Sequence, residues 1–165
     1  LTTRQLNHLR EAMHPVELEI EVAQVIDAAA RDAHVADIAA RAADALNDGT
    51  VVVRTSRALV TGADGHESLN ISRQVSAAVV EMVQRVLAAN PPRFVVAKGG
   101  ITSSDVATKG LGFRHAVVVG PMLPGIVSLW SGQDGPAAGI PYVVFAGNVG
   151  AADSLAAVVD TLTQA

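Results

Sequence analysis

Residues 93–112 read RFVVAKGGITSSDVATKGLG. An apolar run from Phe94 to Ala97 meets a lysine, two glycines and a group of hydroxyls, after which a short helical pattern begins. This is the form of a buried parallel strand that turns directly into a helix. In open parallel sheets, ligands bind beyond the carboxyl ends of the strands. Gly99 and Gly100 open backbone torsions closed to other residues and allow a ligand to approach closely. Thr102 and Ser103 are placed to cap the helix or donate hydroxyls, and the free N–H groups of a helix start suit a phosphate. The spacing is neither G-x-x-x-x-G-K-[ST] nor G-x-G-x-x-G. An ordinary tight turn with a Ser/Thr cap accounts for the same residues equally well.

A second strand end repeats the design. PYVVFAG (residues 141–147) runs into Gly147-Asn148-Val149-Gly150. Gly147 and Gly150 free the backbone, and Asn148 tolerates a left-handed conformation or offers an amide. By itself GNVG reads more readily as a turn; two such loops in one fold point to a shared ligand site.

Working outward, Thr2 or Thr3 is expected to cap a first helix to about Met13, with Leu6 and Leu9 inward. HPVELEIE alternates Val16, Leu18 and Ile20 with Glu17, Glu19 and Glu21, a half-exposed strand. An Ala-rich helical segment spans Val22 to Leu46, with Gly49 as a left-handed C-cap. TVVVRTS is a buried strand, and a polar loop follows through Gly62, Asp64 and Gly65. Ser72 is expected to cap a helix carrying Val75, Val79, Met82, Val83 and Val86, stopped at Asn90, Pro91 and Pro92. HAVVVGPM and IVSLW read as further strands, and Ser154 to Gln164 as a closing helix. Alternating strands and helices give an α/β fold with a mostly parallel sheet and helices on both faces. No linker is evident, so residues 1–165 read as a single domain.

Composition agrees. Of 165 residues, 50% are hydrophobic and only 3% aromatic, so the core is built from small aliphatic side chains. The net charge of −4 comes without a basic stripe, which argues against nucleic acid as a partner. With no cysteine, disulfides and thiolate chemistry are excluded, and a reducing cytoplasm is the expected location. The long uncharged stretches after His115 are broken by Pro121, Pro124, Gly125, Pro136 and Pro141, so no membrane span is expected. The start, LTTRQLNHLREA, has no apolar core segment of a signal peptide. It begins at Leu1 rather than Met, consistent with a piece of a longer protein.

Weaker candidates surround the loops. Lys98 either reaches a phosphate or is a solvated strand-end charge. Asp105 suits the helix dipole, with magnesium the less favoured role. Thr55, Ser56 and Arg57 follow a strand, where Arg57 would meet an anion or a carboxylate. His8, His14, His34, His66 and His115 are scattered, without metal-ligand spacing. Ser128 and Ser131 lack a nucleophile-elbow context. Trp130 either stacks on a base or belongs to a core or interface. No catalytic residue and no metal ligand is assigned.

Taken in order, TVVVRTSR, RFVVAKGGITSSDVATKGLG, VVVGPMLPGI and IPYVVFAGNVGAADSL make the chain resemble the C-terminal nucleotide-binding domain of the four-carbon acid sugar kinase family. The likeness covers nearly the whole chain and is densest from Arg93 to Leu155. It implies the C-terminal part of a two-domain kinase: an N-terminal domain binds the sugar acid, and this domain binds ATP with magnesium. Gly99, Gly100, Thr102 and Ser103 would line the nucleotide phosphates, and Gly147 would approach from the second loop. The family's serine-rich nucleotide-contacting turn lies before the first helix, and this sequence starts after it. The substrate domain and its acidic catalytic residue are likewise absent, so the isolated chain is expected to be catalytically incomplete. Some members of the family carry labels such as type III effector or tRNA synthase, which no sequence feature here supports. A non-catalytic binding or assembly module, with an apolar patch near Trp130 and Leu123, is the alternative. A Rossmann-like oxidoreductase ranks last, for want of a dinucleotide fingerprint. Oligomeric state and the identity of the sugar acid stay open.

Overall fold

The computed structural model describes residues 1–56 and 65–165; of Ile101 only the backbone is described. The expected loop positions Gly62 and Asp64, and Arg57, lie outside the described residues. The chain groups into two compact units: residues 16–91 form one, and residues 1–15 with 92–165 form the other.

In the unit of residues 16–91, β1 (Val16–Ile20) and β2 (Val51–Thr55) pair in parallel, with Leu18 opposite Val53 and Ile20 opposite Thr55. The alternation in β1 sends Leu18 and Ile20 into a core with Val35, Ile38, Ala78 and Met82 from two helices. On the other face, Glu17 and Glu19 pair with Arg54. Among the described residues this sheet has two strands, and β2 is half-buried throughout rather than enclosed on both faces.

The helical segment expected from Val22 to Leu46 is broken in two, α2 (Val22–Ile26) and α3 (Arg31–Ala45). Asp27 causes the break: its Oδ1 accepts the Ala29 N–H at 2.9 Å, an Asx turn that competes with the helix. Helix α3 ends at Leu46 in right-handed conformation, so Gly49 is no left-handed cap. Helix α4 (Gly65–Ala89) starts a full two turns before Ser72. Ser72 is therefore interior, its hydroxyl donating back to the Ser68 carbonyl at 3.0 Å. The Asn-Pro-Pro stop acts as expected.

The other unit carries a four-stranded sheet in the order β3 (Val95–Lys98), β6 (Pro141–Phe145), β5 (Val127–Gly132), β4 (Ala116–Leu123). β3 and β6 are parallel, and the remaining pairs are antiparallel. The α/β class therefore holds, with one parallel and one mixed sheet. Tyr142, Val143 and Phe145 of the central strand β6 are fully buried. Helix α1 (Thr2–Met13) packs against α6 (Ser154–Gln164), joining the two ends of the chain. Neither Thr2 nor Thr3 caps α1; Leu1 precedes it without a side-chain bond. Strand β3 passes through Gly99 into α5 (Gly100–Asp105), which continues as a π-helical turn over Val106–Gly110. Among the described residues no helix is long and apolar enough to cross a membrane.

Candidate functional site

β3 and β6 lie side by side and run the same way, so the loops at their carboxyl ends must be neighbours. Lys98 stands opposite Phe145 in register, and the Gly99 N–H donates to the Phe145 carbonyl at 2.9 Å. A Cβ built on Gly147 would lie 3.9 Å from the Gly99 Cα, in direct contact. The two glycine loops picked out in the sequence therefore converge.

The first loop is held by its own residues. Gly99 has φ 118° and ψ 145°, torsions that an L side chain rarely adopts. It starts α5, whose first turn closes from the Ser103 N–H to the Gly99 carbonyl at 2.9 Å. The N–H groups of Gly100, Ile101 and Thr102 stand ahead of that bond, where a helix has no acceptor for them. Gly100 is exposed, and a Cβ there would meet nothing within 4 Å. Thr102 is exposed beside it. Ser103 points the other way: it is buried, and its hydroxyl lies 2.6 Å from the Gly99 carbonyl and 2.9 Å from that of Ala97. One proton serves one of these acceptors at a time. Behind it the Tyr142 hydroxyl donates to the Ser103 carbonyl at 2.6 Å, and burial pushes that phenol far above the ordinary tyrosine range.

The second loop is held from elsewhere. The Thr2 hydroxyl donates to the Gly147 carbonyl at 3.2 Å. Gln5 is wholly buried, and its amide nitrogen donates to the carbonyls of Val149 and Ala151 at 2.9 and 2.8 Å. Ser154, buried at the start of α6, accepts the Ala151 N–H at 2.7 Å. Gly150 has φ 83°, and a Cβ there would fall 2.7 Å from the Ser154 hydroxyl, so no larger residue fits. Asn148 is exposed at the tip.

Lys98 ties the loops together. Its Nζ lies 4.1 Å from the centre of the Phe145 ring and donates to the Ala146 carbonyl at 3.2 Å, with the Gly147 carbonyl at 3.4 Å. Desolvation lowers its pKa below the ordinary lysine value. It is thus neither a freely solvated charge nor one standing clear of the protein.

The site offers glycine space, backbone N–H groups, the exposed Thr102 hydroxyl, the exposed Asn148 amide and the Lys98 cation, the equipment for holding an anion rather than for breaking a bond. Asp105 stands apart from this set, paired with Lys109 at 2.8 Å. Among the described residues no group of three His, Cys, Asp or Glu side chains lies together as a metal site. Of the remaining candidates, Ser56 accepts the Val22 N–H at 3.0 Å, a local tie in the other unit. Trp130 and Leu123 are half-buried in the sheet. Gln5 went unnoticed as a sequence position. Its signal was spacing: it stands four residues before Leu9 and next to Leu6, on the inward face of α1.

The family model described as "Nucleotide-binding C-terminal domain" matches residues 1–155. Among curated proteins none matches the sequence significantly. Solved structures share the fold, among them the following three. A Bordetella bronchiseptica protein with a domain of unknown function, DUF1537, holding citrate in a domain-swapped dimer, is 24% identical with a TM-score of 0.69; the match covers 98% of this chain and 36% of that one. A Salmonella typhimurium LT2 protein carrying the designation tRNA synthase is 19% identical with a TM-score of 0.73, over 94% of this chain and 37% of that one. A Haemophilus influenzae DUF1537 protein is 17% identical with a TM-score of 0.72, over 98% of this chain and 37% of that one. The chain thus spans little more than a third of the length of these structures.

Proposed function

Since the chain belongs to the nucleotide-binding C-terminal domain family, we propose that its two glycine loops bind ATP, as the nucleotide-binding part of a kinase that phosphorylates a four-carbon sugar acid. The observation that carries this reading is the contact of the loops, with Gly147 against Gly99 and open space at Gly100. A triphosphate needs backbone N–H groups that approach without side chains in the way. Gly100 and Thr102 supply them from the first loop, where Gly99 gives the close approach while its own N–H goes to Phe145, with Gly147, Asn148 and Gly150 from the second. Ser103 serves from behind, holding the first loop to its strand. Phosphoryl transfer depends on alignment and charge stabilisation more than on covalent help from the protein. In this proposal the chain aligns the nucleotide, and a separate domain binds the sugar acid and brings the group that activates its hydroxyl.

The glycine space and amides fit a nucleotide's phosphates. The described residues offer no acidic ligand set for magnesium, with Asp105 engaged by Lys109, and no step assigned to this chain runs through the metal. The lack of cysteine accords with a cytoplasmic setting.

The test is thermal unfolding with Mg·ATP and Mg·ADP. At a concentration about 100 times Kd, binding adds about 2.7 kcal/mol, a rise of roughly 5–10 °C in Tm for a chain of this size. Gly100→Val is expected to fold normally, because its Cβ enters empty space, and to lose that rise. An unchanged Tm in the wild type at millimolar nucleotide removes the proposal. It would leave the second reading, an assembly module. The observation favouring that reading is the sheet-edge strand β4, whose Val117, Val118 and Val119 are 52%, 61% and 60% exposed.

A further inference from the structure

We propose that Gln5 is the positioning residue of the second glycine loop, clamping it from helix α1 with help from Thr2 so that its N–H side is presented to the ligand. The inference rests on the nucleotide reading above.

Gln5 lies 144 and 146 residues in sequence from the two carbonyls it holds. Both hydrogens of its amide are spent on them, one on each side of Gly150. The loop can pass so close only because residue 150 is glycine, whose Cβ position would lie 3.3 Å from the Gln5 nitrogen. Thr2, one turn earlier on the same helix, takes the Gly147 carbonyl. The loop's ends are therefore fixed from one rigid element, itself packed on α6.

Two features make this more than general packing. First, the acceptors of Thr2, Gln5 and Lys98 are all carbonyls: Ala146, Gly147, Val149 and Ala151. These clamps take the oxygen side of the loop, and at its end the Ala151 N–H goes to the Ser154 hydroxyl. An anion needs the N–H side, and turning carbonyls inward also removes their repulsion from it. Second, the Gln5 carbonyl oxygen is buried and has no hydrogen-bond partner among the described residues. Such a group costs stability. Its neighbours on the inward face are Leu6 and Leu9, and a residue chosen for stability alone would be apolar like them. An amide kept there for its two donors, at the expense of its acceptor, points to loop geometry as its purpose.

The experiment is Gln5→Met, which keeps the side-chain length and removes both donors. Mg·ADP affinity is measured by calorimetry, and amide hydrogen exchange over residues 147–151 is measured without nucleotide. The expected result is an unchanged circular dichroism spectrum, faster exchange in the loop, and a Kd raised about tenfold. A residue that only filled the core would leave Kd unmoved. Should Q5M not fold, Thr2→Val at an exposed position carries the test, with Kd raised about threefold. If wild type binds Mg·ADP and Q5M, or T2V in its place, binds within a factor of two of it, the inference is overturned and the nucleotide reading stands. If wild type binds no nucleotide, the nucleotide reading falls and this inference falls with it.

Discussion

The two glycine loops sit against each other yet are built in opposite ways. The loop at Gly99–Ser103 is closed chiefly by its own residues, from Ser103 to Gly99 and Ala97 four to six positions away, and is braced by Tyr142 and Phe145 of the neighbouring strand. The loop at Gly147–Gly150 is held by Thr2, Gln5 and Lys98, between 49 and 146 residues away. A locally closed loop forms as soon as its strand and helix form. A loop held by distant side chains acquires its shape only when the ends of the chain have come together. The difference predicts that the second loop is the more sensitive to change anywhere on α1, and the first to change within itself or in the strand β6 beside it.

That contrast is sharpened most by Gly150→Ala. The new methyl would collide with Ser154 at 2.7–2.8 Å, at a residue with φ 83°. The expected cost is about 2–4 kcal/mol, read as a lower midpoint in urea with unchanged slope. If this variant is as stable as wild type, the second loop is not pinned against α6 as described. Ser103→Ala comes next. It removes a buried hydroxyl from two carbonyls of the first loop, for an expected loss of about 1–2 kcal/mol. Hydrogen exchange is expected to quicken near residues 99–103 and to stay unchanged at 147–151; a change in both would break the distinction between the loops.

The smallest effect belongs to Lys98→Met, at the point where the loops are joined. Desolvation lowers the Lys98 pKa in the folded state, despite its carbonyl partners and the Phe145 ring. The unfolded chain then holds that proton more tightly in the window between the folded value and the ordinary lysine value. Stability contributed by this group accordingly rises with pH across that window, and is absent below it. In K98M the alkaline rise is expected to disappear, as a modest flattening of the urea midpoint against pH. An identical profile in wild type and K98M rules out the desolvated ammonium.

Much of this was legible in the residues. The Asn90-Pro91-Pro92 stop, the strands RFVVAK and PYVVFAG, the closing helix and both glycine loops rest on neighbours in sequence, where apolar period and backbone freedom are the controlling physics. Some local readings failed because a competing local bond was overlooked. Asp27 breaks a helix by accepting the Ala29 N–H, and α4 starts before its expected cap at Ser72. The direction of Ser103 was illegible for another reason: a hydroxyl beside a helix start faces a ligand or its own strand with equal chemical sense, and only the burial of the side chain decides.

By itself the amino-acid sequence determined where the strands end and that two of those ends are glycine loops followed by helices, because torsional freedom and apolar period are properties of adjacent residues. Only the tertiary structure decided that β6 lies beside β3, so that the loops meet, and that Gln5 turns inward to hold one of them. The first rests on strand pairing between distant segments and the second on hydrogen bonds across almost the whole chain, and a polar side chain carries no mark in the sequence of the distant carbonyl it will find.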